Sequence, residues 1–164
     1  MFLNVSCNMS SNVVNFKSLD GKEVFTGKIS SNNDGMCEIL VLDDSQKVIS
    51  KAMYEENKYK IPEKFEIDCL SGEKLIINYD NSNKKIVSSS IKVKRSFYDW
   101  KISIFKDDEI VVDLKCKSLI RRHIFGKYKM EIKDKESESL CLILSMIVFK
   151  ILHDEYNLTS GGFF

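Results

Sequence analysis

Two segments of the sequence contain several lysines and arginines and no acidic residue. They are residues 81–98 and residues 114–130. Ammonium and guanidinium groups bind phosphate, and adjacent arginines can hold one anion together because each guanidinium offers a planar fork of donors. The candidate ligand-binding residues are Lys92, Lys94, Lys115, Lys117, Arg121 and Arg122. We predict that they form one basic flank that meets an anionic head group.

The lysines of these segments alternate with apolar residues. Lys92 and Lys94 flank Val93, and a lysine on each side of Cys116 repeats the pattern. Successive side chains of a strand point to opposite faces, so these lysines are predicted to point outward from a sheet. The two arginines beside His123 are predicted at a loop or strand end. An open alternative is that all these bases are ordinary solvated strand faces and edge guards against aggregation.

Catalytic and metal chemistry find little support in the sequence. His123 and His153 are its two histidines, and neither stands in a Ser-His-Asp or Cys-His arrangement. No Gly-rich phosphate loop is present, and no His or Cys pair has the spacing of metal ligands. The run His153-Asp154-Glu155 is interpreted as a helix end, where charged side chains mark the exit into water. We predict a protein that is not an enzyme and has no catalytic residue, metal or cofactor.

The composition is that of one globular domain. The chain has 164 residues, of which 43% are hydrophobic and 30% charged. Its net charge of +1 lacks the basic surplus of a nucleic-acid coat, so no nucleic-acid partner is expected. Five widely spaced cysteines and a start without a signal sequence indicate a reduced, cytoplasmic chain. The longest apolar run, residues 140–152, is shorter than the ~20 residues that span a bilayer, so no transmembrane segment is expected.

Short strands are the elements that must position the basic residues. Residues 64–69 and 127–133 alternate polar and apolar side chains without error. Such alternation is typical of strands with one buried face. Residues 106–109 are predicted to form a hairpin turn between two further strands. Counting the runs between turn signals gives about twelve strands over residues 2–133.

The pattern changes at residue 135. Serines and acidic residues at 136–139 favour the start of a helix, which is predicted over about residues 138–156. Apolar residues cover every direction of this helix, and a helix that is apolar all round must be surrounded. A barrel of strands around the helix covers the apolar faces and removes exposed edges. A sandwich with a packed helix is an alternative that these patterns leave open.

Several of these runs resemble a known family. They are residues 100–105, a charged turn, residues 110–114 and 128–132, and the apolar helix closing in His153-Asp154-Glu155. This order resembles the C-terminal half of the LURP-one-related family, which belongs to the Tubby C-terminal-like superfamily together with the phospholipid scramblases. The resemblance implies a mainly β protein, a closed antiparallel barrel of about twelve strands around a central C-terminal hydrophobic helix. It implies one domain over residues 1–164, with strands at about 2–133, the helix at 138–156 and a tail at 157–164.

The resemblance widens the functional choice without deciding it, because a fold does not fix a function. Tubby-type domains bind phosphoinositides and scramblases move lipids, but no phosphoinositide pocket is matched here residue by residue. We expect a cytoplasmic, non-enzymatic binding module, peripheral at the membrane, that recognises anionic phospholipid or phosphoinositide head groups through the basic flank. The alternative is a structural or protein–protein interaction domain with no lipid ligand. A carrier of a small apolar ligand is a third reading, which the bulky helix side chains disfavour.

Overall fold

The structure of the protein is a computed structural model that describes residues 1–32, 35–57, 62–96, 100–117 and 125–160. Across these residues twelve strands precede one helix, α1 (Glu138–Ser160). The strands are β1 (Phe2–Asn8), β2 (Val13–Lys17), β3 (Glu23–Ser31), β4 (Met36–Asp43), β5 (Val48–Glu56), β6 (Pro62–Cys69), β7 (Lys74–Asp80), β8 (Lys85–Val87), β9 (Ile91–Ser96), β10 (Lys101–Lys106), β11 (Glu109–Cys116) and β12 (Phe125–Ile132). The mainly β fold class predicted from the sequence is confirmed.

All twelve strands belong to one antiparallel sheet. Its order is β8-β7-β6-β5-β4-β3-β2-β1-β12-β11-β10-β9, so nearly every strand pairs with its neighbour in the chain and β12 returns to β1. The predicted turn between β10 and β11 is a two-residue hairpin, in which Asp107 and Asp108 have φ values of 50° and 68°. Such positive values match the twist of the flanking strands. The barrel is nearly closed, with β8 and β9 facing each other across a gap at the two ends of the order.

The helix runs through the core of this barrel. Every residue from Leu140 to Ile151 is buried, which is more than three turns and therefore covers every direction around the axis. Helix α1 packs chiefly on β4, β5, β6 and β11. The strands meet it with alternate side chains, as in β1, where Leu3, Val5 and Cys7 are buried. The predicted surrounded helix is thus observed, and it ends at Ser160 rather than near residue 156.

Polar contacts fix the first turn of the helix. The Asp134 carboxylate accepts hydrogen bonds from the backbone N–H groups of Glu136 and Ser137 just before α1. The Ser137 hydroxyl joins a half-buried cluster in which Lys106 Nζ lies 2.5 Å from Glu73 Oε1. The Glu73 carboxylate raises the pKa of Lys106. This cluster ties the start of the helix to β10 and to the turn before β7.

Replacing Leu144 by Asp is expected to unfold the protein. Leu144 is 1% exposed inside the barrel, and burying an unpaired carboxylate there costs several kcal/mol. The matched control is Leu19→Asp, because Leu19 is 68% exposed and its change is expected to alter the free energy of unfolding by less than about 0.5 kcal/mol. Urea denaturation followed by circular dichroism measures both. Equal midpoints for the two variants would contradict a helix inside the barrel.

Candidate functional site

The six predicted site residues do not all lie together. Arg121 and Arg122 lie outside the described residues. Lys92 and Lys94 point outward from β9, which is an edge of the sheet. Lys92 Nζ lies 2.5 Å from the Asp108 carboxylate, and Lys94 Nζ lies 4.8 Å from the centre of the Phe105 ring. Both lysines therefore have local partners and sit where charged side chains discourage pairing with another chain.

An acidic residue separates these lysines from the other pair. Lys94 lies opposite Ser103 in the sheet, and Ser103 lies opposite Asp113. The Asp113 carboxylate lies 3.0 Å from Lys101 Nζ and 3.0 Å from Lys133 Nζ. Burial acts to raise the pKa of Asp113, but hydrogen bonds from Ser103 and the two lysines outweigh it and hold the pKa below its usual value. Asp113 and its two lysine partners therefore separate the outward lysines of β9 from those at the end of β11.

Lys115 and Lys117 instead belong to a larger group on β11, β12, β1 and β2, here called the lysine face. Its members are Lys17, Lys115, Lys117, Lys127 and Lys129. In the sheet register Lys115 lies opposite Lys129, Lys129 opposite Asn4, and Asn4 opposite Lys17. The backbone N–H of Lys117 donates to the carbonyl of Lys127, which aligns those two residues in the adjacent row.

The lysine face is only partly compensated by acidic groups, of which Glu23 lies opposite Lys17 in the sheet. Lys117 Nζ donates to the Asn4 side-chain oxygen at 2.6 Å. Within the described part of the chain, Lys17, Lys115, Lys127 and Lys129 form no ion pair. Like charges directly opposite each other destabilise a sheet. An anionic partner would relieve this repulsion, so the lysine face is the first candidate site.

Sequence reasoning did not select Lys17, Lys127 or Lys129 as site residues. Lys127 and Lys129 carried a usable signal, because they alternate with buried Tyr128 in the second acid-free segment. Lys17 carried none. Its proximity depends on the pairing of β1 with both β2 and β12, which only the folded sheet shows.

A cavity of about 580 Å³ is the second candidate site. It lies between the C-terminal part of α1 and the strands on both sides of the β8–β9 gap. Its walls are mainly apolar, and their aliphatic members are Ile86, Val93, Ile102, Val148, Ile151 and Leu152. The helix side chains therefore do not fill the barrel completely, in contrast to the expectation from the sequence.

A partly buried ion pair borders the cavity. Arg95 points into the barrel, unlike its neighbours on β9, and its guanidinium contacts the Glu155 carboxylate at 2.7 and 3.1 Å. The Tyr79 hydroxyl donates to the same carboxylate. Burial acts to raise the pKa of Glu155, but the hydrogen bonds from Arg95 and Tyr79 outweigh it and lower the pKa below its usual value. The pair joins the end of the helix to β7 and β9.

The sequence suggested that the run His153-Asp154-Glu155 marks the point where the helix exits into water. The structure corrects this interpretation. Helix α1 continues to Ser160, and the Asp154 side chain is largely buried. Lys150 Nζ lies 2.7 Å from Asp154 Oδ1 and 3.2 Å from Glu56 Oε1. Burial raises the pKa of Asp154, although Lys150 acts to lower it. The charges near the helix end are thus structural contacts with the barrel wall.

Other chemistry is sparse in the described residues. No group of three or more His, Cys, Asp or Glu side chains in this part of the chain is arranged to hold a metal ion. No helix within it is long and apolar enough to cross a membrane. All five cysteines are free thiols, and burial raises the pKa of Cys7 and of Cys141 to about 12. These two thiols therefore stay protonated at neutral pH and pack as small apolar side chains.

Comparison with known proteins supports the architecture. No protein-family model matches the chain, and no curated protein matches it. The X-ray structure of a protein from Arabidopsis thaliana is similar, with a TM-score of 0.54 and 12% sequence identity. The match covers 95% of this chain and 91% of the plant protein. At this identity the similarity shows a shared fold, the nearly closed twelve-stranded barrel with one helix.

The two acidic residues near the helix end are expected to give opposite pH dependences. The low pKa of Glu155 stabilises the fold above its unfolded-state pKa, and this contribution is lost as the pH falls through the folded-state pKa. Glu155→Gln should cost roughly 2 kcal/mol at neutral pH, and the cost should shrink below about pH 4. The raised pKa of Asp154 works the other way, so the wild type should lose stability relative to Asp154→Asn as the pH rises above about 4.

Chemical denaturation of the wild type and both variants measures these differences in the free energy of unfolding. It is carried out between pH 3 and 8 in steps of about 0.5 pH unit, which resolve a single titration. A cost of Glu155→Gln that does not depend on pH would rule out the ion pair with Arg95.

Proposed function

We propose that this protein is a non-enzymatic binding module that recognises anionic phospholipid head groups through the lysine face, as a member of the LURP-one-related family. The observation that carries the proposal is the direct opposition of Lys115 and Lys129, beside Lys127, which forms no ion pair within the described residues. Such a cluster opposes folding in isolation and is relieved by bound anions. The family assignment rests on the sequence resemblance and on the shared barrel fold.

The shape of the lysine face favours a charged surface over a single small anion. Its lysines lie on or next to β2, β11 and β12, three of four adjacent strands that together span about 14 Å at ~4.8 Å between neighbours. They lie on the outer wall of the barrel, where side chains diverge instead of converging on one point. A membrane leaflet rich in anionic lipids presents many negative charges at once and can contact all of them.

An exposed aromatic residue supports lipid as the source of these charges. Phe2 points outward from β1, two residues before Asn4, and is 57% exposed. Aromatic side chains are favoured at membrane–water interfaces, where the ring contacts the apolar boundary below the head groups. A free polyanion offers no such apolar layer. Phe2 lies opposite Glu131 at the border of the lysine face, so the ring and the lysines can contact one membrane surface together.

The charge of the lysine face is the variable to test. Lys115, Lys127 and Lys129 are replaced together by Gln. Co-sedimentation then measures binding to vesicles that contain about 30% phosphatidylserine, which gives them an anionic surface. Each lysine near an anionic surface contributes about 1 kcal/mol, so the affinity should fall on the order of 100-fold. Neutral phosphatidylcholine vesicles should not bind the wild type, and added salt should weaken the binding.

The matched control removes the same charge from the other side of the barrel. Lys47, Lys64 and Lys74 are exposed and belong to the β4–β5 turn, β6 and β7. Replacing these three by Gln should leave at least half of the affinity. Equal losses in the two triple variants, or no preference of the wild type for anionic vesicles, would reject the proposal and favour an interaction domain without a lipid ligand.

A further inference from the structure

We propose that the cavity beside the β8–β9 gap is a second, separate site that binds a single-chain amphiphile with an anionic head, of the fatty-acid class. It uses none of the residues of the lysine face. The acyl chain lies against the aliphatic walls inside the barrel, and the carboxylate lies at the rim beside Lys84 and Lys85. The inference goes beyond the proposed membrane contact and stands or falls independently of it.

The size of the cavity suits a ligand of this kind. Its volume of about 580 Å³ falls within the roughly 300–1,000 Å³ of small-molecule sites. Filled with water, it has room for about 20 molecules at ~30 Å³ each. Most of its walls offer these waters no hydrogen bond. Replacing these waters by an apolar chain is therefore favourable, because the release of poorly ordered water from apolar walls lowers the free energy.

The walls come from both sides of the gap and from the helix. Ile86 belongs to β8, Val93 to β9 and Ile102 to β10, while Val148 and Ile151 face them from α1. Aromatic residues, among them Trp100 and Tyr128, add to this mainly apolar surface. A hydrocarbon chain needs only contact with such a surface and exclusion of water.

The rim supplies positive charge that acidic residues compensate only in part. Lys85 lies opposite Asp80 in the sheet, and Lys84 is one of the groups that lower the pKa of Glu155. Arg95 is already bonded to Glu155, and Lys101 to Asp113. Lys84 and Lys85 also line the cavity, are exposed to solvent and form no ion pair within the described residues. An anionic head group beside these two lysines stays in contact with water, while the attached hydrocarbon chain is buried in the cavity. A ligand with one charged end and one apolar chain, an amphiphile, fits this division.

The rim is also held in place before a ligand arrives. Lys84 has a φ of 50°, and the turn that precedes it is organised by the Asp80 carboxylate. That carboxylate accepts hydrogen bonds from the backbone N–H groups of Ser82 and Asn83 and from the Asn83 amide. Because the backbone is preorganised, binding costs mainly the ordering of two lysine side chains.

The protein contains its own reporter for this site. Trp100 is the single tryptophan of the sequence, and it lines the cavity. Titration with monomeric dodecanoate, below its micelle concentration, should change the Trp100 fluorescence in a saturable way. Dodecanol, with the same chain and no charge, should bind at least tenfold more weakly. Butyrate, with the same head and a short chain, should leave the fluorescence unchanged.

Two variants separate the head from the chain. Lys84→Gln with Lys85→Gln should weaken dodecanoate binding about tenfold and leave dodecanol binding unchanged, and both residues are exposed, so folding is preserved. Val93→Trp narrows the cavity from the half-exposed edge strand and should abolish binding of both compounds, as followed by isothermal titration calorimetry. Lys64→Gln with Lys74→Gln is the charge-matched control and should bind dodecanoate like the wild type.

The outcomes are decisive for this site alone. Saturable dodecanoate binding that depends on Lys84 and Lys85 supports the proposal. Unchanged Trp100 fluorescence with dodecanoate, or equal affinities for dodecanoate and dodecanol, overturns it. The triple Gln variant of Lys115, Lys127 and Lys129 should retain full dodecanoate affinity, which distinguishes failure at the cavity from failure at the lysine face.

Discussion

A helix that is apolar on every side is the constraint on which the rest of this structure depends. From Leu140 to Ile151 every residue of α1 is buried and most are apolar, so the chain must surround the helix completely. A flat sheet covers one side and a sandwich covers two. Twelve antiparallel strands that curl into a nearly closed barrel cover all of them, and the same closure pairs the backbone groups of every interior strand. The inward alternation of the strands and the composition of the helix are thus two parts of one solution.

Apolar burial alone does not say how this helix is rotated or how deep it lies, because every face is equally suited to the core. Ionic contacts at its two ends supply that information. Lys106 and Glu73 meet Ser137 at the start, while Arg95 binds Glu155 near the end. Breaking one partner of such a pair leaves a buried charge, so only one rotation and depth satisfies both ends. We interpret these pairs as devices for position more than for net stability.

The sequence predicted what depends on local pattern and missed what depends on pairing between distant strands. Error-free alternation at residues 64–69 and 127–133 indicated β6 and β12, and the apolar run indicated the helix. Alternation fixes the face to which a side chain points, but not which strand lies beside it. The outward direction of Lys129 was therefore predictable, whereas its proximity to Lys17 arises from β1 pairing on both sides. The ion pair of Glu155 was missed for the same reason, since its partner Arg95 lies 60 residues away.

The incomplete closure of the barrel connects features that look unrelated in the sequence. β8 has three residues and β9 has six, so the two ends of the sheet do not form a continuous ladder. β9 is left as an edge, and the outward lysines at 92 and 94 protect it from pairing with other chains. The inward residue at the same edge, Arg95, faces the helix and binds Glu155. Among the described residues no further strand covers the gap, and Ile86 and Val93 line the cavity there. The basic residues from Lys84 to Arg95 therefore serve edge protection, helix positioning and the cavity rim, whereas the lysine face lies on the strands on the far side of Asp113.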